Sequence, residues 1–122
     1  MTILIIDDHA VFRRALADLL RLQDGIDVLA EAEDGPAGVE LAAELEPDVV
    51  LMDYRMPGLN GAAATRALRQ VRPEASVIGV SFDSRPEVRR AMQEAGACGF
   101  FRKGDDFSSL MTMIEEADSC QC

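Results

Sequence analysis

Five times along this chain a short apolar run gives way to a stretch with helical spacing, and that alternation restricts the fold more than any other feature. The apolar runs are Thr2 to Ile6, Val28 to Ala32, Val49 to Met52, Ser76 to Val80 and Gly99 to Phe101. The first, third and fourth are apolar at consecutive positions, as strands buried on both faces of a parallel sheet require. Between and after them lie apolar stripes at spacings of three and four: Phe12, Ala15, Leu16, Leu19; Leu41, Ala42, Leu45; Ala64, Leu68, Val71; Val88, Ala91, Met92, Ala95; and Phe107, Leu110, Met111, Ile114. Asp34 before Gly35-Pro36, Asn60 before Gly61, and Ser84 with Glu87 as a capping box predict helix starts, and Gly96 predicts a helix end. The expectation is an α/β domain, a doubly wound five-stranded parallel sheet covered by five helices. Right-handed crossovers leave such a sheet few topologies, and ligands bind beyond the C-terminal strand ends at the point where the winding reverses.

Those strand ends carry the chemistry. The first run ends in Asp7-Asp8, the third in Asp53 and the fourth in Ser81, and Lys103 follows the fifth. Three carboxylates converging on one crevice repel one another, so the cluster raises a pKa or recruits a cation. Oxygen ligands in this number favour a hard ion, and a site with room left for water and phosphate suits magnesium, or manganese in its place. A carboxylate can attack phosphorus and form an acyl phosphate if the charges are offset, which a metal and the Lys103 ammonium would do. The Ser81 hydroxyl then has a role as donor to a phosphoryl oxygen.

The length of 122 residues fits one domain spanning 1–122, with an ordered core over about 2–117 and a short tail. A net charge of −10 argues against direct binding to nucleic acid or an anionic membrane. No apolar run has the roughly 18 residues of a membrane span, and the N-terminus lacks the basic leader of a signal peptide, so the cytoplasm is the expected compartment. The three cysteines, Cys98, Cys120 and Cys122, read as reduced thiols, with Cys120-Gln121-Cys122 an incomplete soft-metal site at a terminal tail.

Asp7-Asp8, Asp53 with Met56-Pro57-Gly58, Ser81, and Gly99-Phe100-Phe101-Arg102-Lys103, in that order and over essentially the whole chain, resemble the receiver domain of bacterial response regulators. The stretches Asp7 to Arg14 and Asp53 to Gly58 look most like the subgroup joined to helix-turn-helix output domains of the NarL, FixJ and LuxR type. The resemblance implies the flavodoxin-like strand order 2-1-3-4-5. It implies that Asp53 accepts a phosphoryl group from a phosphohistidine on a sensor histidine kinase or phosphotransfer protein. Asp8, Asp53 and the backbone carbonyl of Arg55 would bind Mg2+ directly, with Asp7 assisting. Ser81 would move toward the phosphoryl group and Phe100 would rotate into the space behind it, changing the surface around the fourth helix, fifth strand and fifth helix. A homodimer formed on phosphorylation, and control of transcription through an output domain, belong to the same expectation.

Two positions depart from the family pattern. Phe82 is large where receivers carry a small residue, and Gly104 stands where a proline often follows the lysine. Arg55 and Asp83, each two residues beyond a site residue, are expected to pair across the mouth and tune the lifetime of the phosphoryl group, although both also read as solvated loop charges. Taken singly, Asp8 reads as a helix cap, Asp53 as a turn residue before Pro57, and His9 as a helix start rather than a relay. Two other functions compete with the switch. A phosphohydrolase would place an acid two residues after the nucleophile, where this chain has Arg55; an interaction module signalling without phosphorylation would fit Phe82.

Overall fold

The computed structural model describes residues 1–117. Five strands, β1 (Thr2–Ile6), β2 (Asp27–Ala32), β3 (Val49–Asp53), β4 (Ser76–Ser81) and β5 (Gly99–Arg102), alternate with five helices, α1 (Ala10–Arg21), α2 (Gly35–Leu45), α3 (Gly61–Val71), α4 (Pro86–Ala95) and α5 (Phe107–Ala117). All strand pairs are parallel and the order is β2-β1-β3-β4-β5, as expected. The winding reverses between β1 and β3, so Asp7 and Asp53 end up next to each other.

The two-residue pleat divides the core into two layers. Ile3, Ile5, Val49, Leu51, Ile78, Val80 and Phe101 face α1 and α5, where they meet Leu16, Leu20, Leu110 and Ile114. Leu4, Ile6, Val50, Met52 and Val77 face the other way and are covered by α2, α3 and α4 through Ala42, Ala64, Leu68 and Met92. Residues of both parities on β1, β3 and β4 are buried, and this explains why those three runs are apolar without alternation.

Helix boundaries follow local chemistry at two of the three expected starts. Asp34 accepts a hydrogen bond from the Ala37 amide at 2.8 Å, and Asn60 accepts one from Ala63 at 2.9 Å. The Ser84 capping box does not form. α4 starts one residue later, with Arg85 at the cap position and Pro86 in the first turn, because proline has no amide to be capped and its fixed φ already suits a helix. Gly96 ends α4 in the left-handed region at φ +113°.

Three stripes lose their last member to solvent. Leu19, Leu45 and Val71 are exposed, and α1 buries Leu16, Ala17 and Leu20 instead of Ala15 and Leu19. The helix is rotated so that Phe12, Leu16 and Leu20 share its buried side, a choice decided by how α1 lies across the sheet. Cys98 is not a free thiol, so the reduced-thiol expectation fails there. Cysteine spacing in sequence carries no information on which thiols the fold brings together. Cys120 and Cys122 lie outside the described residues.

Candidate functional site

Strand parity, read to the last residue of β3 and one residue past β1 and β5, points Asp7, Asp53 and Lys103 to the α1/α5 side, because each continues the series Ile3-Ile5, Val49-Leu51 and Phe101. All three are buried, as is Ser81 at the end of β4. The Lys103 ammonium lies 2.8 Å from Asp7 Oδ2 and 3.7 Å from Asp53 Oδ1. Carboxylate oxygens of Asp7, Asp8 and Asp53 come within 4.8 Å of one another.

Burial first, and the neighbouring Asp7 charge second, push the Asp53 carboxyl up to about 8, against the opposing pull of Lys103. One ammonium therefore does not neutralise the cluster. Three hard oxygen donors within reach of a common point suit a small divalent cation, and its charge would hold Asp53 ionised.

Backbone packing fixes these groups. The His9 amide donates to Asp7 Oδ1 at 2.8 Å and Arg13 donates to the Asp7 carbonyl, so the start of α1 holds the acid loop. Asp8 is not the cap of α1; His9 occupies that position, without a side-chain hydrogen bond. Behind Asp53, the Gly61 amide donates to Tyr54 O at 2.7 Å. A Cβ on Gly61 would stand 2.2 Å from Asp53 O, so α3 can begin this close to β3 only with glycine. The Lys103 amide donates to Ser81 O at 2.9 Å, which ties the lysine to the end of β4.

A cleft of about 440 Å³ opens over this floor. Asp53, Ser81 and Lys103 lie at its base, and exposed Asp8, His9, Arg55 and Phe82 form the rim. Ser81 Oγ accepts from the Asp83 amide at 3.1 Å. Asp83 in turn receives two guanidinium groups, Arg85 at 2.8 Å and Arg55 Nε at 2.9 Å, and these hold its carboxyl far below the usual range, Arg85 most strongly. Arg85 was not expected in this pair; its position four residues after Ser81 was the only hint.

Phe100 lies beside Gly79, where its Cδ2 would be 3.0 Å from a Cβ, and the Arg89 guanidinium stacks on its ring at 4.7 Å. Two aromatic faces approach the buried ammonium. Lys103 Nζ is 4.6 Å from the Phe12 ring centre and 5.3 Å from that of Phe82. Phe12 read only as a member of a core stripe, since helical spacing does not reveal that its ring reaches a lysine just after β5.

The sequence profile of the response regulator receiver domain matches residues 3–115. The chain belongs to the response regulator receiver domain family. Response regulator GacA of Pseudomonas viridiflava is 35% identical over 112 residues, covering 92% of this chain and 52% of that protein. Transcriptional regulatory protein LiaR of Bacillus subtilis is 38% identical over 116 residues, covering 94% and 54%. Among solved structures, the signal receiver domain of NarL from Mycobacterium tuberculosis superposes with a TM-score of 0.89 at 32% identity, covering 98% of this chain and 97% of that one. The chain spans about half the length of the curated relatives it matches. As a receiver domain it is a module of two-component signalling, and none of its described helices is long and apolar enough to cross a membrane.

Proposed function

We propose that Asp53 accepts a phosphoryl group from a sensor histidine kinase or phosphotransfer protein, in a reaction requiring Mg2+ or Mn2+, and that the chain works as a cytoplasmic switch. The observation that carries this reading is the position of Lys103, whose ammonium lies between Asp7 and Asp53 on the floor of an open cleft. Asp53 supplies the oxygen that forms the new P–O bond, and the donor's P–N bond breaks with its electron pair staying on nitrogen. Asp7, Asp8, Asp53 and the Arg55 carbonyl are the candidate metal ligands, and the cation when bound offsets the charge of acid and phosphate. Lys103 would meet a phosphoryl oxygen and Ser81 would donate a hydrogen bond to another, a reading supported by their lining the cleft with Asp53.

Breaking the Ser81 contact with the Asp83 amide would be the first local change, with Phe100 following beside Gly79. Arg55, Asp83 and Phe82 at the rim tune access and phosphate lifetime. Names of relatives such as Transcriptional regulatory protein LiaR support control of transcription through an output domain, with homodimer formation on phosphorylation as one route. The chain itself, at net charge −10, is not the nucleic-acid-binding part.

Incubation with acetyl phosphate and Mg2+, followed by intact mass, tests the reading, with Asp53→Asn as control. One stable phosphoryl addition lost in the variant is expected. Continuous turnover would indicate a phosphohydrolase, and no addition would indicate a module that signals by binding alone.

A further inference from the structure

We propose that the exposed ring of Phe82 selects the phosphodonor, favouring a phosphoryl group carried on an aromatic nitrogen, as in a phosphorylated imidazole, over one carried on an aliphatic acyl oxygen. This rests on Asp53 being the phosphoryl acceptor. In-line displacement puts the leaving group on the side of phosphorus opposite the attacking Asp53 oxygen. Asp53 is on the buried floor, so the leaving group sits at the open rim. Asp8, His9 and Arg55 on that rim are polar, whereas Phe82 presents an apolar ring that is 64% exposed.

That ring is held in place. It meets His9 edge-on at 6.4 Å and Phe12 at 6.3 Å with a tilt of 60°, and the buried Lys103 ammonium is 5.3 Å from its centre. These contacts anchor one part of the ring and leave the rest as a flat surface at the mouth of an anionic cleft. A flat heteroaromatic leaving group can stack there, and the positive charge on a protonated donor ring is attracted to the π face. An acetyl group offers neither property. In the transfer, an Asp53 oxygen lone pair forms the P–O bond, the P–N pair returns to the ring nitrogen, and the proton on the distal nitrogen stays, so a neutral imidazole leaves. Phe82 thus acts on the donor, separately from the groups that hold the phosphate.

The test uses the purified chain with Mg2+ and either N-phosphoimidazole or acetyl phosphate, with second-order rates read by intact mass for wild type, Phe82→Leu and Phe82→Tyr. The ratio of the two rates, phosphoimidazole over acetyl phosphate, should fall about five-fold in Phe82→Leu and be retained in Phe82→Tyr. Both donors meet the same folded sample, so any loss of folded protein cancels in the ratio. A ratio that stays or rises in Phe82→Leu, or that drops equally in Phe82→Tyr, overturns the selectivity alone. If neither donor modifies wild type, the acceptor reading fails and the selectivity with it.

Discussion

Lys103 divides its charge unequally between two acids, lying 2.8 Å from Asp7 and 3.7 Å from Asp53. Asp7 holds the closer contact, and Asp53, the proposed acceptor, is left the less compensated of the two. Its carboxyl is accordingly pushed up to about 8 by burial and by Asp7. Three carboxylates carry more charge than the one ammonium offsets, and most of the site's expected behaviour follows from that excess.

Replacing Lys103 with Met removes the one influence among these that lowers the Asp53 carboxyl. Its titration midpoint, followed by carbon NMR of the carboxyl, should move above that of wild type. Phosphorylation by acetyl phosphate should slow by roughly 100-fold, the usual loss when a preorganised charge is removed from a transferring group. A rate within a few-fold of wild type would show that the ammonium does not meet the phosphoryl group.

The raised Asp53 carboxyl also fixes the sign of a stability effect. Folding favours the neutral acid, so this group's contribution is fully present below its unfolded value of 3.8 and is lost as pH rises through about 8. Without metal, Asp53→Asn should therefore stabilise the chain at alkaline pH and give no gain near pH 3.5, below the unfolded value. Urea midpoints of the two proteins across this range measure the difference, in which the other carboxylates cancel. A variant that is less stable than wild type at pH 9, above the raised value, would contradict the assignment.

Binding of Mg2+ to wild type should release protons at pH 7, because the cation replaces the proton that burial keeps on Asp53. A weakly buffered titration with a pH indicator detects this, and Asp53→Asn should release none through that group. Equal release from both proteins would place the metal away from Asp53.

Arg55 meets Asp83 across the cleft mouth, with Arg85 on the same carboxylate. Arg55→Ala should open the mouth and shorten the phosphate lifetime by a few-fold, with little change in thermal stability because exposed ion pairs are screened by solvent. Decay of the phosphorylated mass after donor removal gives the lifetime. Identical decay in the two proteins would mean that the pair does not screen the attacking water.

Gly61→Ala tests the floor. A methyl 2.2 Å from Asp53 O must push α3 off the end of β3, at a cost of about 3 kcal/mol in urea unfolding. Asp34→Ala, which removes a helix cap and adds no atoms, should cost about 1 kcal/mol.

Much of this site is legible in one dimension. Runs such as Val49 to Met52 announce a buried strand, and Asp7, Asp53, Ser81 and Lys103 each stand at or just past a run's end. Hydrophobic period and chain direction are local properties, and parallel pairing carries every strand end to the same edge. Thus the element order, the parallel sheet and the edge that bears the chemistry were determined by the sequence alone.

Tertiary structure decided the rest, because it depends on relative placement of segments distant in the chain. How α1 lies on the sheet made Leu20 core and left Leu19 exposed, though both fit a helical spacing. The approach of α1 to the segment just after β5 turned Phe12 from a stripe residue into a partner of Lys103. The upward shift of Asp53 needs both burial and the nearness of Asp7, 46 positions earlier in the chain. Such effects scale with distance in space, and residue type and spacing along the chain do not specify it.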